Sequence, residues 1–172
     1  MKYLKRLAIR LILCFAPISW FSFIFTPLTV YGSYIILLSF FDVIIRDSFL
    51  IVNGFPFKIV EACVASAAYY LLWLLCFLTK DISVKVRFKI IVYGFLLIFG
   101  MNLFRIGLLV FLAMKYGFYW FSLVHLTFWY IVTGVYVALV WIFLVRYYNI
   151  KNVPMYSDVK TIYRMGFKKR KS

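Results

Sequence analysis

The chain has 172 residues, of which 66% are hydrophobic, 23% aromatic and only 15% charged, against roughly a quarter charged in an ordinary soluble domain. Lys and Arg number 20 against 5 Asp and Glu, a formal net charge of +15, and three cysteines accompany a single histidine. Such composition excludes a water-soluble globular domain, a disordered chain and a disulfide-stapled module, and apolar runs without period-two alternation argue against a β-barrel.

What remains is an all-α, polytopic transmembrane helix bundle. Lys2, Lys5, Arg6 and Arg10 precede an apolar run, which predicts a first span over residues 7–26 with a kink at Pro17. No small-x-small cleavage site follows, so the span reads as uncleaved. Further spans are predicted over 59–78, 90–114 and 118–145, each with at least the ~20 residues a crossing needs. From residue 147 the composition turns polar and basic, which divides the chain into a transmembrane domain (1–146) and a basic cytoplasmic tail (147–172).

Sidedness follows from the basic residues, which favour the cytoplasmic face. The N-terminus, the 80–89 loop and the chain from Arg146 onward carry 16 of the 20. These regions share a side only if 28–57 does not cross, so that segment is expected on the outer face as an interfacial or re-entrant helix, with Asn53-Gly54-Phe55-Pro56 as a turn. Both termini are then cytoplasmic, and the protein is multi-pass in the plasma membrane. The basic residues flank apolar spans and match an anionic lipid surface, not a nucleic acid. Trp20-Phe21, Phe118-Tyr119-Trp120-Phe121 and Tyr147-Tyr148 read as interfacial belts.

Polar residues inside spans are costly and mark function. Cys63, preceded by Glu61, lies near the outer end of the second span. Arg105, three residues after Asn102, lies in the third. His125 lies near the outer start of the fourth. Counted at 1.5 Å per residue, a thiol, a guanidinium and an imidazole from three helices come to similar depth. A thiolate is a nucleophile, His moves protons, and Arg is a fixed fork of donors for an oxyanion or a carboxylate. A purely structural arrangement is the alternative, with Arg105 paired to Glu61 or Asp47 and the cysteines as apolar filler, the role assigned to Cys14 and Cys76. The cysteine spacing and lone His leave no zinc or iron–sulfur ligand set, and no cofactor is expected.

Val60-Glu61-Ala62-Cys63, Asn102-Leu103-Phe104-Arg105-Ile106 and His125, in that order, resemble the exosortase/archaeosortase family, in which a Glu-Ala-Cys-Ser-Gly or Ala-Cys-Thr-Gly block, an Asn-x-x-Arg-Ile block and a His or Arg fall on successive helices. The resemblance covers about residues 50–130, includes the turn at Asn53-Gly54-Phe55, and is to the compact archaeal-type members. It implies a membrane-embedded cysteine protease or transpeptidase with Cys63 as nucleophile and Arg105 and His125 as catalytic partners. It implies substrates that are surface-protein precursors ending in a sorting motif, a transmembrane helix and a basic tail, cleaved through a thioester that water or a lipid amine resolves. One departure is plain: Val64-Ala65 follows Cys63 where the family has Ser-Gly or Thr-Gly, so the tight backbone that the glycine implies is expected to be missing. A non-enzymatic assembly protein and a small transporter, each with a structural Glu61–Arg105 pair, are the alternative functions.

Overall fold

In a computed structural model the chain is described over residues 2–46, 49–80 and 82–150, apart from the side chains of residues 2–6, 61, 62, 129 and 130. Its elements are α1 (Lys2–Cys14), α2 (Ile18–Leu38), β1 (Val43–Arg46), β2 (Phe49–Val52), β3 (Phe55–Lys58), α3 (Glu61–Val64), α4 (Ser66–Leu78), α5 (Val84–Tyr116), α6 (Phe118–Thr127), a single π-turn (Phe128–Val132) and α7 (Thr133–Tyr147). Residues 151–172, most of the expected tail, lie outside the described residues, as do Asp47 and Asp81. By length and composition two helices, α2 and α5, are able to cross a membrane.

The expected first span is divided. Pro17, which lacks an N–H and fixes φ, sits extended at φ −67° and ψ 135° before α2, so the kink is a full break and the helix beyond it runs on to Leu38. α1 lies antiparallel along α4: Arg10 Nε donates to the Phe77 carbonyl at 2.8 Å, Trp73 Nε1 to the Leu13 carbonyl at 2.8 Å, and the Tyr70 hydroxyl to the Cys14 carbonyl at 3.0 Å. The last carbonyls of a helix have no partner within it, and two aromatic donors of α4 satisfy those of α1. Phe21, expected in an interfacial belt, is instead a core residue, set edge-on to Tyr70, Trp73 and Phe95.

The outer helix expected over 28–57 is not there. Residues 28–38 complete α2, and β1, β2 and β3 form an antiparallel meander, so the protein is not all-α. The register pairs Val52 with Phe55 across Asn53 (φ 47°) and Gly54 (φ 86°). Positive φ at both central residues of a two-residue loop is what a twisted hairpin needs, and Asn-Gly supplies it at least steric cost. Pro56, without an N–H, sits on the edge strand β3, where proline is tolerated.

The core has two apolar clusters. One joins Phe21, Tyr69, Leu72, Cys76, Ile90, Ile98, Val137 and Trp141; the other joins Val30, Leu37, Leu50, Val52, Phe57, Val64, Ile106 and Val110. The meander caps the second cluster, where Phe57 meets Phe118 and Phe121 of α6. The opposite end gathers the basic groups: Arg87 donates to the Thr79 carbonyl and lies over the Phe77 ring. α4 and α5 approach closely at Gly94, where an added Cβ would collide with Leu72 Cδ2. From Phe118 to Tyr147 the chain stays helical through the π-turn, which Thr133 closes by donating both its N–H and its Oγ1 to the Phe128 carbonyl.

Candidate functional site

α3 is one turn long because Ala65 adopts the left-handed conformation, φ 60° and ψ 33°. The break lets Val64 pack into one apolar cluster and Ala65, Ala68 and Tyr69 into the other. It also strands the Cys63 carbonyl, which in an unbroken helix would accept from four residues on. α5 supplies the substitutes: Asn102 Nδ2 donates to it at 2.8 Å and Arg105 Nη2 at 3.2 Å. Both side chains are nearly sequestered, at 4% and 3% exposure. On α5 they lie between Ile98, in the first cluster, and Ile106, in the second. Three residues apart on one helix, they share a face and together hold the turn that carries Cys63.

Cys63 is half-buried, whereas Cys14 and Cys76 are buried. The Cys76 Sγ–H donates to the Arg87 carbonyl at 3.8 Å, consistent with a packing role. Arg105 lies within electrostatic range of Cys63, Tyr69 and His125. His125, on α6, is half-buried and stacks on Phe121, its ring centroid 5.7 Å away. Of the five residues singled out from the sequence, Asn102 and Arg105 meet at the Cys63 carbonyl, and His125 lies within electrostatic range of Arg105. The fifth, Glu61, opens α3, and its side chain lies outside the described residues.

Comparison with known proteins adds nothing to this geometry. No family model, curated protein or solved structure matches the chain.

Three buried polar atoms of the residues around Arg105 lack hydrogen-bond partners among the described residues: Asn102 Oδ1, His125 Nδ1 and the Tyr69 hydroxyl. Buried polar groups are nearly always satisfied, and a water beside Asn102 would complete such bonding. Beside them a small cavity of about 20 Å³, room for a single water, is lined by Ala65, Ala68, Asn102, Arg105, Phe128 and Tyr136. The π-turn forms one wall, and π-turns recur at functional sites.

Sequence reasoning missed Tyr69 and the π-turn. Tyr69 falls in the middle of the expected span over 59–78, among other aromatic residues, and nothing local sets it apart. The π-turn had no readable signal, because a single widened turn leaves the apolar composition unchanged. Among the described residues no group of three or more His, Cys, Asp or Glu comes together.

Proposed function

We propose that the protein is a membrane-embedded cysteine peptidase or transpeptidase acting on membrane-anchored precursor proteins, of the kind the exosortase/archaeosortase resemblance implies. The observation that carries this reading is the Cys63 turn. A left-handed residue stands where the family has glycine, and the carbonyl of the cysteine is held by the Asn and Arg of the second block. Val64-Ala65 departs from the family in residue type but reaches the backbone conformation that a glycine would favour.

The proposed topology has four crossings: α1 with α2, α3 with α4, α5, and α6 through α7. The basic end lies in the cytoplasm, and the meander and Gly117 lie outside. The large apolar side chains exposed along these helices, among them Phe23, Leu96, Phe104 and Ile131, suit lipid contact and would be a liability in water.

In the proposed reaction His125 accepts the Cys63 thiol proton, and the sulfur attacks the scissile carbonyl. Arg105 faces the developing oxyanion, where a well-aimed donor is worth about 10²–10³ in rate. The C–N bond breaks as His125 returns the proton to the leaving amine, which departs with the precursor's transmembrane tail. The resulting thioester is hydrolysed by water or aminolysed by a lipid headgroup amine, which releases Cys63 as the thiol. The rival reading, a non-enzymatic assembly protein or transporter, takes the two bonds to the Cys63 carbonyl as purely structural.

The deciding experiment co-expresses the protein with a precursor ending in a short motif, an apolar helix and a basic cluster, and follows the size of the precursor. Cys63→Ala is expected to insert normally and to abolish processing. Unchanged processing by Cys63→Ala would remove the cysteine mechanism and leave the structural reading.

A further inference from the structure

A second cavity lies at the other end of the molecule, between α5 and α7, with room for about 510 Å³. This is within the ~300–1,000 Å³ range of small-ligand sites. Its lining is graded along the helices. Lys89, Tyr93, Tyr147 and Tyr148 form one end, and Leu96, Leu97, Phe143 and Leu144 form the other. The two helices run in opposite directions, so the start of α5 and the end of α7 bring the polar groups to the same level. Tyr147 and Tyr148 meet edge-to-face at 5.1 Å, and Tyr93 lies within electrostatic range of Tyr148.

We propose that this groove binds one anionic phospholipid of the adjacent, cytoplasmic leaflet. The chemistry of each end argues for that occupant. An ammonium beside phenolic hydroxyls is a donor set for a phosphate, and tyrosine and lysine are the side chains that sit at headgroup level. From Lys89 to Leu97 the groove runs about 12 Å along α5 at the helical rise, long enough for a headgroup followed by the upper part of an acyl chain. Lys89 belongs to the basic end of the protein, where Lys85 and Arg87 add to the attraction for an anionic lipid. The same charge disfavours a precursor's transmembrane tail as occupant, because its basic cluster would face Lys89.

This inference rests on the membrane reading and not on the chemistry of Cys63, and its test needs no cleavage. The full-length protein is released from micelles holding equal amounts of phosphatidylglycerol and phosphatidylcholine with the same acyl chains, and bound lipid is counted by native mass spectrometry. Wild type is expected to retain phosphatidylglycerol preferentially. Lys89→Glu is expected to lower that preference by about five-fold or more, the contribution of one basic residue at an anionic surface. Lys85→Glu changes net charge equally but lies outside the groove, and is expected to lower the preference several-fold less than Lys89→Glu does. Leu97→Trp, which fills the apolar end, is expected to reduce retention of both lipids. Lys89→Gln serves as the second variant if the charge reversal does not insert. Absence of a preference in wild type, its survival in both Lys89 variants, or equal losses in Lys85→Glu and Lys89→Glu would each overturn the proposal.

Discussion

The left-handed Ala65 makes a sharp prediction about stability, with its control built into the same wall. Ala65 and Ala68 are both buried, at 7% and 3% exposure, and both line the cavity beside Arg105. Replacing either by glycine removes one buried methyl group and adds the conformational entropy of glycine to the unfolded chain, costs that are similar at the two positions. Only Ala65 sits at φ 60°, ψ 33°. There a Cβ crowds the following carbonyl oxygen at a cost of roughly 1–2 kcal/mol, which glycine relieves. Ala65→Gly is therefore expected to be more stable than Ala68→Gly by about 1–2 kcal/mol. For a chain of this size that is a difference of about 2–8 °C in Tm, measurable by thermal unfolding of the purified protein in one detergent. Ala65→Val should fall below both, because a β-branched side chain is least tolerated at positive φ. Equal midpoints for the two glycine variants would mean that α3 and α4 form one continuous helix. The Cys63 carbonyl would then be bonded within that helix, and the clamp by Asn102 and Arg105 would lose its physical basis.

Arg105→Lys keeps a charge but loses the planar fork. It is expected to slow single-turnover processing of a co-expressed precursor by about 10²–10³, and a rate within a few-fold of wild type would reduce Arg105 to an anchor for the Cys63 turn. Gly94→Ala is expected to lower stability by about 1–3 kcal/mol through overpacking, because its Cβ would meet Leu72. Gly100→Ala, with open space at the same atom, should raise stability by about 0.5–1 kcal/mol as an ordinary helix substitution, and thermal unfolding that reversed this order would contradict the α4–α5 contact. Reporter fusions after Lys89 and after Ile150 should both read as cytoplasmic and a fusion at Asn53 as external. An internal signal at Asn53 would reverse the proposed sidedness of Cys63.

Much of the site was readable in the chain. Cys63, Asn102, Arg105 and His125 stood out because a thiol, an amide, a guanidinium and an imidazole are rare and expensive in apolar segments, and counting residues from the span ends put them at one depth. Hydropathy also located the apolar core of each later helix to within a few residues. The segment from 28 to 58 was misread because Val43-Ile44-Ile45 and Phe49-Leu50-Ile51-Val52 are short continuous apolar runs. Such runs carry neither helical nor strand periodicity, and only Asn53-Gly54 distinguished a hairpin from a turn between helices. The sequence by itself determined composition, the asymmetry of charge and the identity of the polar residues, since each is local and additive along the chain. Tertiary structure alone decided that Phe21 is core and that Ala65 turns left-handed. Each of those depends on what a neighbouring element presents: α4 rings around Phe21, two apolar clusters pulling Val64 and Ala65 apart, and two donors from α5 waiting for the carbonyl that the break exposes.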